Sequence, residues 1–112
     1  ALGPTLRRQV DAEWQPSGFD GVDIRKLFVD AANDRQTVLV RMRPGSTFPT
    51  HVHGGNEECY VIEGDLLDGA VRMISGDYVC YPGGTHHGPL STVEGCLLLV
   101  QSSRSDEVVH LA

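Results

Sequence analysis

The chain has 112 residues, an ordinary size for one domain; 40% of them are hydrophobic and 21% are charged. Its net charge of −6 argues against a nucleic-acid partner or an anionic membrane surface, because binding either one requires a clustered basic face. A membrane span needs about 20 apolar residues, and no run in the chain is that long, so we expect no membrane partner. The three cysteines lack a C-x-x-C spacing, so we expect a cytoplasmic protein without disulfides.

Short β-strands are predicted along most of the chain. Residues 1–20 mix proline, glycine and charge, so we expect an N-terminal arm there and a single β-domain over 21–112. Apolar, β-branched runs separated by turn residues predict strands at Val22–Val29, Thr37–Arg43, Glu57–Glu63, Leu66–Leu67, Ala70–Ile74, Asp77–Tyr81, Cys96–Gln101 and Val108–Leu111. No long segment has a helical period. This pattern predicts an all-β sandwich or small barrel with no substantial helix.

A cluster of possible metal ligands interrupts this pattern. His51 and His53 are one residue apart, so in an extended segment they point to the same side with Cα atoms about 6.6 Å apart. Glu57 follows shortly after, and His87 comes thirty residues later. Three imidazoles and one carboxylate suit one divalent transition metal, Fe(II), Mn, Ni, Co or Zn, better than Mg or Ca.

The spacing of these residues resembles the two sequence motifs of the cupin superfamily. The first motif, G-x5-H-x-H-x3-E-x6-G, is matched at every specified position, by Gly45, His51, His53, Glu57 and Gly64. The second, G-x5-P-x-G-x2-H-x3-N, is matched by Gly76, Pro82, Gly84 and His87, and Ser91 stands in place of the final asparagine. The resemblance implies a small double-stranded β-helix (a jelly-roll barrel) that binds a metal through His51, His53, Glu57 and His87. It also implies a small-molecule ligand inside the barrel and a homodimer.

The run from His51 to Gly64 resembles two kinds of cupin in particular. One is the cupin of zinc-dependent anti-sigma factors of the ChrR type, and the other is a group of small dioxygenases that act on acetylacetone and dihydroxyacetophenone. Trp14-x-Pro16 and the segment from Tyr81 to His87 strengthen the likeness.

Three functions remain open on this basis. The first is a dioxygenase acting on a small chelating substrate such as a diketone or hydroxyketone, for which Fe(II) is the favoured metal. The second is a zinc-binding sensory cupin without turnover, although the chain carries no second His/Cys cluster in its first twenty residues of the kind that grips the sigma factor. The third is a metal-dependent isomerase or epimerase, which ranks lower because the only lysine, Lys26, lies outside both motifs.

Other residues are candidates for the surroundings of the metal. His86, Tyr60 and Arg41 are considered as possible contacts to substrate or metal, with a loop position, packing and a solvated outer face as the respective alternatives. Cys59 shares a face with Glu57 and is expected to be a small buried hydrophobe near the metal. Cys80 and Cys96 are expected in the core.

Overall fold

The computed structural model describes residues 3–49, 51–104 and 107–108, with the side chains of 51, 52, 107 and 108 outside that description. The strands found in these ranges are β1 Gln15–Pro16, β2 Val22–Asp30, β3 Arg35–Met42, β4 Thr47–Phe48, β5 His51–Val52, β6 Glu57–Asp68, β7 Val71–Ile74, β8 Tyr78–Tyr81, β9 Leu90–Ser91, β10 Cys96–Ser103 and β11 Glu107–Val108. The helical content of the same ranges is a single turn of 3₁₀ helix, Gln9–Asp11, and a turn of that length does not cross a bilayer.

The strands curl into a half-barrel in which the paired neighbours run antiparallel. Nine strands form one sheet in the hydrogen-bonded order β1-β2-β3-β10-β6-β9-β4, and β7 and β8 also pair with β6. The strands β5 and β11 form a separate pair. Within the described residues, the expected all-β architecture without a substantial helix is therefore confirmed.

The inward side of the sheet is apolar. Side chains alternate between the two faces of a strand, so apolar residues at every second position all face inward. Across the central strands β3, β10 and β6, the pairing aligns two inward rows, Val38–Val100–Cys59 and Val40–Leu98–Val61. Val61 is 0% exposed, and Val22, Leu66 and Met73 extend the core. Glu57 lies two residues before Cys59 and therefore faces the same interior.

Strand β6 joins the two halves of the barrel, and its length corrects one prediction. A strand end at Glu63 and a separate strand at Leu66–Leu67 were expected, but β6 runs unbroken to Asp68. Its first half pairs with β8 and β10, and its last four residues pair with β7 and β9. Gly64 makes this possible because its φ of +81° bends the strand without ending it. A Cβ at this position would also collide with the carbonyl oxygen of Gly95.

The next residue, Asp65, ties this bend to the turn that precedes β10. Its carboxylate is completely buried and accepts hydrogen bonds from Thr92 Oγ1 at 2.8 Å, Glu94 N at 2.8 Å and Val93 N at 3.3 Å. Burial alone would raise the pKa of this carboxyl, but the three hydrogen bonds and the nearby charge of Arg72 outweigh it, so the pKa lies below its usual value.

The first and last strands of the described residues pair with neighbouring strands of the barrel. The arm contributes β1, which pairs with β2, and Arg25 donates a hydrogen bond to the carbonyl of Arg8 at 3.0 Å. At the other end, Glu107–Val108 pairs with β5, while the rest of the strand predicted to reach Leu111 lies outside the described residues.

We predict that Asp65→Asn lowers the free energy of unfolding by about 2 kcal/mol at neutral pH, because the buried hydrogen bonds lose their charged acceptor. Since the folded-state pKa of Asp65 is depressed, its contribution is present above the unfolded aspartate pKa of about 3.9 and is lost as the pH falls through the folded-state value. The difference between wild type and variant should therefore be constant above about pH 5 and shrink below about pH 4.

Urea unfolding followed by circular dichroism between pH 3 and pH 7 measures this difference. Glu63→Gln is the matched control, since this carboxylate lies two residues earlier on the same strand and is exposed. A difference that is the same at pH 3 and pH 7 would contradict the assignment to Asp65.

Candidate metal centre

Strand β6 places Glu57 at the mouth of the barrel. Glu57 is its first residue, pairs with Tyr81 of β8, and is 6% exposed. The neighbouring Glu58 lies on the outer face, where it accepts a hydrogen bond from Tyr78 at 2.7 Å. Strand alternation thus selects Glu57 as the carboxylate that faces inward.

Two loops bring His53 and His87 to the same point. The backbone N–H of His53 donates to Thr85 O at 3.0 Å, and Gly84 N donates to His53 O at 2.9 Å. These bonds join the loop after β5 to the loop before β9. Both imidazoles are buried, with His53 at 1% exposure and His87 at 5%.

The donor atoms of these three residues are close enough to share one ion. Glu57 Oε2 lies 3.5 Å from His53 Nε2, and Glu57 Oε1 lies 3.9 Å from His87 Nε2. One ligand atom from each residue lies within 4.8 Å of the others. Two atoms bound to a common metal at about 2.1 Å are about 3.0–3.5 Å apart, so only small shifts would bring all three into its coordination sphere.

The tautomer of His87 favours metal binding. Its Nδ1 lies 2.6 Å from Gly88 O, and a carbonyl can only accept, so Nδ1 carries the proton. This leaves the lone pair on Nε2, the atom that points toward Glu57. A hydrogen bond of this kind orients an imidazole for a metal. The residues present therefore fit a bound transition metal.

The fourth predicted ligand, His51, has its backbone in β5, opposite Val108. Its side chain lies outside the described part of the structure, so its role as a ligand stays a prediction. His53, Glu57 and His87 are the members of the predicted set that the structure brings together.

Tyr81 lies at the site, although it was not among the residues singled out from the sequence as candidate contacts to the metal. Its ring stacks on His53 with centroids 5.4 Å apart and lies 4.6 Å from the ring of His87. Its hydroxyl donates to Asp68 Oδ2 at 2.6 Å, across the barrel. Burial, followed by this hydrogen bond to Asp68, raises the pKa of Tyr81, so the phenol stays protonated. Tyr81 reaches the site because it lies opposite Glu57 in the pairing of β8 with β6. The sequence alone does not give this register.

The other residues considered for the surroundings of the metal lie elsewhere. His86 is exposed, although it adjoins His87. Tyr60 lies on the outer face and is 44% exposed, because it alternates with the inward-facing Cys59. Arg41 also points outward, where it pairs with Asp23 at 3.2 Å and lies 4.2 Å from the ring of Trp14.

The cysteines divide in the same way. Cys59 is buried below Glu57, as expected, and burial together with the charge of Glu57 and Cys96 raises its pKa to about 12, so it remains a thiol. Cys96 is buried in the core. The expectation of a core position for Cys80 was wrong: Cys80 pairs with Glu58 and is exposed on the outer face.

A cavity of about 170 Å³ lies beside the candidate ligands, inside the barrel. Glu57 and Cys59 form part of its wall, and most of the remaining wall is aliphatic or aromatic, including Val38, Phe48 and Leu98. The candidate metal-binding group therefore reaches a largely apolar cavity through Glu57.

Comparison with solved structures shows the same fold in proteins of differing function. A protein of unknown function with a cupin-like fold from Ralstonia eutropha aligns with a TM-score of 0.84 at 22% identity, over 97% of this chain and 72% of that one. The acetylacetone dioxygenase of Acinetobacter johnsonii aligns with a TM-score of 0.82 at 16% identity, over 98% and 79%. The complex of SigE with the anti-sigma ChrR from Rhodobacter sphaeroides aligns with a TM-score of 0.72 at 24% identity, over 87% of this chain but only 51% of that one. At these identities the likeness shows the fold alone.

Sequence comparison is more specific about the family. A search of curated proteins finds no match. The family model described as the ChrR Cupin-like domain matches residues 4–106, which is nearly the whole chain. The chain therefore belongs to the ChrR cupin-like family.

Proposed function

We propose that this protein is a mononuclear metal-dependent dioxygenase that acts on a small chelating substrate of the diketone or hydroxyketone type. The observation that carries the proposal is a group of three buried side chains able to bind a metal, one of which, Glu57, also lines an apolar cavity inside the barrel. A purely structural metal needs no such chamber, whereas a substrate held by the metal does. The acetylacetone dioxygenase of Acinetobacter johnsonii, which has the same fold, is an example of a protein of this fold with the proposed reaction class.

In this proposal the residues of the chain have separate roles. His53, Glu57 and His87, together with His51, hold the metal. When bound, a metal such as Fe(II) supplies Lewis acidity and electron transfer to dioxygen. The apolar wall excludes water and holds the substrate next to the metal, which lowers the barrier by proximity. The ring of Tyr81, fixed by Asp68, keeps the imidazoles of His53 and His87 in position.

A second candidate is a sensory cupin that binds zinc without turnover. It is favoured by the match of residues 4–106 to a family model that carries the name of ChrR. Since a sensory cupin can use the same donor atoms, the two candidates differ in the metal they retain and in whether dioxygen is consumed.

We predict that His53→Ala lowers metal occupancy at least tenfold, because it removes a buried imidazole from the centre of the donor set. Elemental analysis of protein dialysed against a limiting amount of iron or zinc measures the occupancy. His86→Ala is the matched control, since His86 is an exposed histidine from the same loops and should leave occupancy unchanged. Full occupancy in a folded His53→Ala protein would contradict the ligand assignment.

We also predict oxygen consumption by the protein reconstituted with iron when a 1,3-diketone is added, and none with zinc. An oxygen electrode and a panel of alkyl and aryl diketones measure it, with His53→Ala as the background. One tightly held zinc that iron cannot replace, with no oxygen uptake across the panel, would overturn the dioxygenase proposal in favour of the sensory candidate.

A further inference from the structure

The cavity wall carries one polar row, at the end nearest the candidate metal ligands. Ser102 of β10 pairs directly with Gln36 of β3. On its other side β10 pairs with β6 as far as Gln101 opposite Glu58, so the next residues on the two strands, Ser102 and Glu57, are also neighbours. Gln36, Ser102 and Glu57 all line the cavity. Since adjacent strands are about 4.8 Å apart, the hydroxyl and the amide lie roughly one and two strand spacings from Glu57.

The rest of the wall offers little for a polar ligand to bind. The inward rows next to the polar one are Val38–Val100–Cys59 and Val40–Leu98–Val61. Among the described residues that line the cavity, the side chains with hydrogen-bonding groups are Glu57, Gln36 and Ser102, apart from the thiol of Cys59. None of these carries a positive charge. The part of a ligand that lies away from the metal should therefore be neutral, because an anion there would be buried without a partner.

Gln36 and Ser102 also have hydrogen-bond donors and acceptors that a ligand can use. Within the described part of the chain, their side chains share a single long hydrogen bond, from Gln36 Nε2 to Ser102 Oγ at 3.4 Å. A carboxamide has two N–H donors and a carbonyl acceptor, and a hydroxyl can donate and accept, so most of this capacity is unused by that bond. Ser102 is only 5% exposed, and a buried hydroxyl generally has a closer partner.

The size of the chamber limits the apolar part of a ligand. A protein cavity of about 150 Å³ lined by apolar side chains binds benzene. The chamber of about 170 Å³ found here therefore accommodates one phenyl ring or a short alkyl chain of similar volume.

From these observations, and resting on the proposed function, we propose that Gln36 and Ser102 bind a hydroxyl or carbonyl oxygen of the ligand that is not bound to the metal. The substrate class is then a neutral diketone or hydroxyketone that bears a single aryl or short alkyl group and one additional oxygen. The two residues determine specificity for that oxygen, while the metal holds the chelating end.

Equilibrium binding to the 112-residue protein loaded with redox-inert zinc tests this independently of turnover. The probes are 1-phenyl-1,3-butanedione and its 3-hydroxyphenyl analogue, whose hydroxyl cannot reach its own carbonyl groups. The variants are Ser102→Ala and Gln36→Met. Gln101→Met is the matched control, because Gln101 lies at the same end of the sheet but is exposed on the outer face. Metal content and circular dichroism are measured for each protein.

We expect the hydroxylated probe to bind the wild type about threefold to tenfold more tightly than the phenyl probe, the gain typical of one hydrogen bond. The ratio should fall to near one in Ser102→Ala and Gln36→Met and remain in Gln101→Met, while affinity for the phenyl probe changes less than about twofold. Equal binding of the two probes by the wild type, or a ratio that persists in both cavity variants, would overturn this inference alone.

Failure of both probes to bind zinc-loaded wild-type protein would overturn the proposed diketone site and the inference with it. If Gln36→Met does not fold, Ser102→Ala decides the result, because removing one hydroxyl leaves the shape of the wall almost unchanged.

Discussion

The bend of β6 at Gly64 is the constraint on which the barrel and its candidate metal site both depend. Because this strand continues through the bend, its first half contributes Glu57 to one half of the curled sheet and its last residues pair in the other half. The close approach of Gly95 leaves no room for a side chain at Gly64, and the buried carboxylate of Asp65 holds the opposing turn in place. If the strand ended at this glycine, β6 would no longer connect the two halves of the sheet.

The polar groups of the candidate site are buried, and burial of a polar group costs free energy unless it has a partner. Two imidazoles and a carboxylate lie buried within 4.8 Å of one another, at the mouth of an apolar chamber. Burial of this kind is typical of functional sites, since ionisable groups are otherwise kept exposed. A divalent cation would balance the charge of Glu57 and accept the lone pairs of the imidazoles. The hydrogen bond between Tyr81 and Asp68, which spans the barrel, then fixes the rings around that position.

Motif spacing predicted much of this arrangement, because the candidate metal ligands are few, chemically distinctive and fixed in their separation. It brought His53, Glu57 and His87 together as one candidate set before any strand was paired. Gly64 was misread as a strand end because glycine both interrupts strands and permits bends within them, and only its contact with Gly95 distinguishes the two.

The surroundings of the site were harder to predict because they depend on register between distant strands. Tyr81 contacts the imidazoles through its position opposite Glu57, and Ser102 reaches the cavity through its pairing with Gln36. Arg41 and Tyr60 were considered as site residues since local sequence does not show which face of a strand a barrel encloses. The contact of Tyr81 with the imidazoles and the position of Ser102 in the cavity wall do not follow from the order of residues along the chain.

X-ray absorption spectroscopy of the protein reconstituted with one Fe(II) per chain, without dioxygen, tests the central claim most directly. The account predicts scattering from at least two imidazoles and from oxygen donors, and a changed iron environment when 1-phenyl-1,3-butanedione is added. Iron without imidazole ligands, or a spectrum that the diketone leaves unaltered, would contradict a metal held by His53, Glu57 and His87 and open to the cavity.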